Sequence, residues 1–161
     1  MAYRIFTEEE WNTLQELAED FRNKVTPIAD QINLRCKEED CSAYIQSGYR
    51  SSKHQMKLYK IGRKLHKNRW MRTGEAPVMT HAAPGQSPHE YRLAVHVALI
   101  KDADNLWVDD DDSRWHTIVG EIVRENGLTW GGDFVNIFDA AHIEDPNWRE
   151  VASDLDWRGL Q

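Results

Sequence analysis

The sequence predicts an α+β fold: a small, mostly antiparallel central sheet flanked by helices, a long N-terminal one among them. Three patterns lead there. After Thr7, apolar residues recur at three- and four-residue steps, the period of a helix with one buried face. Residues 93–100 form a nearly unbroken apolar run, as a buried central strand requires. Two shorter segments, 43–49 and 141–144, read as further strands.

Taken in order, Thr7 and Glu10 have the spacing of a capping box, with Thr7 as N-cap and Glu10 at the third helical position. Trp11, Leu14, Ala18, Phe21, Val25, Ile28 and Ile32 then mark one apolar face. They predict a long helix bent or broken near Pro27, which lacks a backbone donor. Its acidic polar face assigns it to core scaffold rather than to a membrane surface. Cys36 and Cys41 flank an acidic turn; with no second Cys pair to complete a zinc site, two plain thiols are expected.

The strand at 43–49 ends at Arg50-Ser-Ser, and a helix is predicted over 52–65. Residues 67–86 are rich in Gly, Pro, Thr and Arg without a period, and read as a long surface loop of functional character. The acids 109–112 open a helix over 113–126, where they favour the positive end of the helix dipole. Four consecutive acids lack the alternate spacing of a calcium loop. Gly127 is a natural C-cap, residues 128–132 start a strand or turn, and 141–144 are the last strand.

The chain of 161 residues is read as one domain, 1–161, without repeat or linker, and long enough to bury a sizeable core. Seven Trp, five Tyr and four Phe fit a packed globule. A formal charge of −7 argues against non-specific binding to nucleic acid or anionic membranes. No apolar run approaches the roughly 18 residues that span a bilayer. The acidic N-terminus lacks the apolar core of a signal peptide, so a soluble product made in the cytoplasm is expected.

The chemistry concentrates in Ser87-Pro-His89-Glu-Tyr-Arg-Leu-Ala94-Val-His96 and Asp139-Ala-Ala-His142. Three histidines and a carboxylate are the inventory of a catalytic zinc site, which keeps one position open beside an acid/base group. The seven-residue separation of His89 and His96 lets a loop residue fold back over a strand residue. A lone histidine in an apolar strand is also commonly a hydrogen-bonded core residue, so this pair by itself leaves both readings open. Asp139, three residues before His142, can face the same cavity and hold and deprotonate a water.

These segments resemble the phage-type peptidoglycan peptidases of the D-alanyl-D-alanine carboxypeptidase / L-alanyl-D-glutamate endopeptidase family, whose zinc motif is S-x-H-x-x-G-x-A-x-D followed by D-x-x-H or E-x-x-H. Ser47-Gly-Tyr-Arg50-Ser-Ser resembles the family's strand-end arginine motif, Ala82-Ala-Pro-Gly-Gln-Ser87 the loop into the first zinc histidine, and Gly127-Leu-Thr-Trp-Gly-Gly-Asp133 the turn before the last. The resemblance covers about two thirds of the chain, from Tyr44 to Asp145. It implies one zinc ion, with His89 and His142 as ligands and Asp139 as general base. Arg50 would donate to the developing oxyanion, Ser87 would support the site, and Trp130 would shape a cleft wall.

Two positions depart from the motif: Arg92 replaces Gly, and His96 replaces the zinc-binding Asp. Arg92 implies a looser turn or an extra cation at the cleft rim. His96 either completes a three-histidine site, or falls short of the metal, or marks an inactive or engineered variant. The remaining histidines, His54, His66, His81 and His116, take surface or capping roles, with His81 the one placed to touch substrate.

The function implied by the resemblance is a zinc peptidase cutting peptidoglycan stem peptides at the L-Ala–D-Glu bond. It would be a monomeric phage endolysin without a separate wall-binding module, released from the host cytoplasm when the membrane is breached. D-Ala-D-Ala carboxypeptidase activity and a catalytically impaired wall binder are the alternatives.

Overall fold

The computed structural model describes residues 6–109 and 113–154. Helix α1 (Glu8–Gln15) opens with the expected capping box: Glu10 N–H donates to Thr7 Oγ1, and Thr7 N–H to Glu10 Oε2. Glu10 is buried because its other oxygen accepts the Ile45 N–H at 3.0 Å, tying the helix to β1 (Cys41–Ser47). The inward face therefore runs through Glu10 and Leu14, and Trp11, expected on the apolar face, is half exposed.

The long N-terminal helix is present as the 19-residue α2 (Glu19–Lys37), but the expected break lies earlier than Pro27. The helical run breaks after Gln15 and resumes at Glu19, whereas Pro27 sits inside α2 without ending it. A tertiary contact makes the break. Ala18 N–H donates to the carbonyl of Arg92 at 3.0 Å, and the Arg92 guanidinium donates to the Glu16 carbonyl at 2.6 Å. Pro27 is tolerated because it and Asn23, whose carbonyl it leaves unpaired, are both exposed to water. Beyond the break, Phe21, Val25, Ile28, Ala29, Ile32 and Cys36 form the buried face of α2. Both cysteines are free thiols and buried.

Helix α3 (Ser52–Lys60) is capped by Ser51 Oγ, which accepts the His54 N–H, and it ends five residues short of expectation. Gly62 stops it: its φ is +75°, and a Cβ there would lie 2.7 Å from the Ala76 carbonyl oxygen. The segment after Gly62 is not a plain loop. Strands β2 (Arg63–His66) and β3 (Arg69–Arg72) form an antiparallel hairpin turned by Lys67 and Asn68, at φ 44° and 64°. The Lys-Asn tip hides the hairpin from a sequence reading, which looks for Asn-Gly or Asp-Gly at such a turn.

Strand β4 (Ala94–Lys101), helix α4 (Ser113–Glu125), strands β5 (Thr129–Trp130) and β6 (His142–Glu144), and helix α5 (Trp148–Asp154) complete the order. Gly127 follows α4 at φ +72°, as a C-cap glycine should. Short 3-10 turns, Pro88–Tyr91 and Gly131–Asp133, precede β4 and follow β5. Among the described residues the main sheet has the order β1-β4-β6-β5, every pair antiparallel, as the predicted α+β class requires. Helices α2 and α4 cover one face through Phe21, Val25, Ile32, Val119 and Val123. Among the described residues no helix is long and apolar enough to cross a membrane. Of the acidic run, Asp110, Asp111 and Asp112 lie outside the described residues.

Candidate metal centre and cleft

His96 and His142 are directly opposite each other in the β4–β6 ladder, so their side chains leave the same face side by side. On the other flank His96 opposes Ser47, where the β1–β4 register shifts between Ile45 and Ser47. Such bulges re-aim side chains next to functional sites. His89 comes from the 3-10 turn that enters β4 and folds back over the strand. The three rings meet edge-on with centroids 4.7, 5.1 and 5.3 Å apart.

Hydrogen bonding fixes which nitrogen of two rings faces inward. His89 Nδ1 lies 2.7 Å from the Gly48 carbonyl, which only accepts, so Nδ1 carries the proton and Nε2 the lone pair. That Nε2 is buried with no partner. Burial, then His96, His142 and Arg50, push the His89 pKa down to about 2, so the ring is neutral. His142 Nε2 donates to Glu144 Oε2 at 2.7 Å, turning Nδ1 toward His96 Nε2 at 3.2 Å. One ligand atom from each of the three rings lies within 4.8 Å of the others. Two rings with inward lone pairs, one of them orphaned in the interior, and the His96 ring beside them form a nitrogen donor set suited to a divalent ion such as zinc.

Asp139 stands beside this cluster, with Oδ2 3.4 Å from His96 Nε2. Burial raises its pKa, but the hydrogen bond to His96 and the electrostatic pull of the neighbouring histidines outweigh that and hold it below the usual carboxylate range. The turn carrying Asp139 is pressed onto Gly131, where a Cβ would come within 2.7 Å of His142 Cβ and closer still to the Asp139 carbonyl. Only glycine lets the Asp139–His142 turn approach so near.

Around the centre opens a cleft of about 1310 Å³. Arg50, Ser87, His89, His96, Asp139 and His142 all line it. Arg50 donates to Gln55 Oε1 at 2.9 Å, and its backbone N–H to the His89 carbonyl at 3.2 Å. Trp130 lies behind the site: it is buried, its Nε1–H donates to the Ala140 carbonyl, and it braces the turn without forming a wall of the cleft. Phe134, Val135 and Ile137 form that wall instead. Arg92 is not a cation of the cleft rim. It takes the left-handed conformation (φ 64°), stacks on Tyr49 and caps α1. His81 lines the cleft as expected, with its Nδ1 3.1 Å from Arg72 Nη2. His116, expected in a surface or capping role, is buried in α4, with Nε2 donating to the Asp109 carbonyl.

Three residues essential to this geometry escape a motif reading. Glu144 holds His142 with one oxygen and accepts Trp148 Nε1–H with the other, at 3.1 Å. Its signal was present: two residues after His142 in a strand, it must share that face. Glu90 accepts the Gly85 and Ser87 N–H groups and so shapes the loop before His89. Gln55, fully buried, ties Arg50 to the Ala82 carbonyl. Nothing in its sequence context marks it.

Residues 80–145 match a family model described as D-alanyl-D-alanine carboxypeptidase. The chain is 33% identical over 147 residues to the peptidoglycan L-alanyl-D-glutamate endopeptidase CwlK of Bacillus subtilis (strain 168), covering 84% of this chain and 82% of that one. Its fold is similar to that of the Serratia marcescens L-Ala D-Glu endopeptidase ChiX, with a TM-score of 0.56 at 19% identity over 91% and 92% of the two chains.

Proposed function

Since this chain belongs to the metal-dependent peptidase family that includes the D-alanyl-D-alanine carboxypeptidases and the peptidoglycan L-alanyl-D-glutamate endopeptidases, we propose that it hydrolyses peptidoglycan stem peptides at the L-Ala–D-Glu bond with one zinc ion. The observation that carries this reading is the convergence of three inward-facing imidazoles and Asp139 on the floor of an open cleft. His89, His96 and His142 would hold the ion. Bound there, zinc supplies Lewis-acid polarisation of the scissile carbonyl and makes a water more acidic.

The chain's own groups do the rest. Asp139, an ionised carboxylate, takes the proton of the attacking water and returns it to the leaving amine. Arg50, held by Gln55, donates to the oxygen on which negative charge develops. His96 in place of an aspartate leaves the ligand set without negative charge, so the site polarises its substrate more strongly and holds the ion through neutral nitrogens alone. The resemblance of the Ser87–His96 and Gly127–Asp133 motifs to those of phage-type peptidases supports extending the proposal to the role of an endolysin.

Mass spectrometry of muropeptides after digestion tests the reading. Fragments with a new D-Glu N-terminus are expected from the zinc-loaded protein. Release of D-Ala alone would assign carboxypeptidase activity instead. Asp139→Ala should retain zinc yet lose at least about a hundredfold in rate, while His96→Asp retains or gains activity. Full activity in Asp139→Ala would sink the mechanism, and zinc-loaded protein that releases no fragment would leave only a wall binder.

A further inference from the structure

Charge is segregated in this chain. Residues 41–74 carry nine Lys or Arg and no Asp or Glu, leaving eleven Lys or Arg against all 27 acids in the rest. The structure gathers eight of these nine cations, all but Arg50, into one arm, α3 and the β2–β3 hairpin. Lys64, Lys67, Arg69 and Arg72 are exposed there, with Leu65 and Met71 beside them.

The arm is built against its own stability. Arg63 stands directly opposite Arg72 across the hairpin, a like-charge pair that weakens a ladder. The tip places Lys67 at φ 44°, where Asn or Gly would sit at less cost. Lys64 has one exposed acidic partner, Glu75, while Lys67 and Arg69 have none among the described residues. Arg63 leans on the Tyr59 ring and carbonyl, and Arg72 on His81. A single carboxylate among the described residues, Glu75, thus faces this group of cations, and such an excess in a chain of net charge −7 points to an anionic ligand.

The arm is also continuous with the cleft, since Arg72 of the hairpin and His54 and Leu58 of α3 line it. From Arg72 to the tip the cations reach about 13 Å further, at roughly 3.3 Å per residue. We propose that this arm is an exosite for the free carboxylates of peptidoglycan, engaging stem peptides next to the one in the cleft. The proposal rests on the reading that the cleft takes such a peptide. Continuity of the two surfaces favours one polymer in both. An acidic protein approaching an acidic lattice is repelled, and a basic arm beside the cleft turns that repulsion into orientation.

The test uses full-length protein carrying Asp139→Ala, so that binding does not consume the wall, and the same protein with Lys64→Glu, Lys67→Glu and Arg69→Glu. Co-sedimentation with sacculi stripped of phosphate polymers should weaken at least about tenfold in the charge-reversed protein and fall with added salt. Amidating the sacculus carboxylates should abolish the difference. With Asp139 restored, hydrolysis of a short soluble stem peptide should be equal with and without the three charge reversals. Equal sedimentation of both proteins overturns the proposal. So does binding that requires the phosphate polymer, and so does equally tight retention on duplex DNA. A Lys64→Gln, Lys67→Gln, Arg69→Gln variant with an unchanged melting temperature guards against misfolding. Failure to cut the soluble peptide at all counts against the peptidase reading, independently of the sedimentation result.

Discussion

Glu144 decides what His142 can do. A histidine bonded through Nε2 to a carboxylate keeps one tautomer and one ring orientation, and its free nitrogen becomes more basic. Both Glu144 oxygens are engaged, one by His142 and one by Trp148. Glutamine at this place offers a single acceptor oxygen, so one of the two contacts must go. Glu144→Gln is therefore expected to weaken zinc binding about 10- to 100-fold in competition with a chromophoric chelator. Unchanged affinity would show that the β4–β6 ladder alone holds the ring in place.

At the scale of elements, Arg92 joins three of them. It sits at the turn between the His89 loop and β4, closes the C-terminus of α1 and receives the amide that starts α2. Its φ of 64° is strained for any side chain, and stacking on Tyr49 together with the bond to Glu16 offsets that strain. Arg92→Ala keeps the strain and loses both contacts, so about 1–2 kcal/mol of stability should go. Arg92→Gly loses the same contacts but relaxes the backbone, and should exceed the alanine variant by about 1 kcal/mol of stability in a urea titration. The reverse order would mean that the turn is not strained. The glycine that the family motif carries here and the arginine of this chain are thus two solutions to one backbone conformation.

For the molecule as a whole, the cluster is expected to make stability depend on protons and on metal. Unfolded, His89 titrates near 6.5; folded, burial and its neighbours hold it at about 2. Below pH 6.5 the unfolded chain therefore binds a proton that the native state refuses. Stability contributed by the neutral ring is fully present above about pH 7 and is lost as pH falls, by at most about 1.4 kcal/mol per unit. Chelator-treated protein should accordingly melt several degrees lower at about pH 5 than at about pH 7. Zinc at about a hundred times its dissociation constant should restore about 2.7 kcal/mol at neutral pH. A melting temperature indifferent to both would mean that the three rings do not form a binding site.

Much of this protein is legible without coordinates. The capping box at Thr7, the apolar period of α2, the buried run of β4 and the glycine after α4 are local rules, each satisfied within a few residues of chain. The residues His89, His96, Asp139 and His142 point to a metal site only through their resemblance to the family motif, since by spacing alone a core histidine and an acidic loop remain equally open. What the chain alone could not decide depends on contacts distant in sequence. The N-terminal helix breaks at residues 16–18 and not at Pro27, because Arg92 offers a carbonyl and a guanidinium there and the carbonyl that Pro27 frees belongs to Asn23, an exposed residue. The basic segment becomes a hairpin because Gly62 turns beneath the carbonyls of Ala76 and Pro77. His96 faces the other two histidines because the ladder sets it opposite His142, a matter of strand register that only the folded sheet decides.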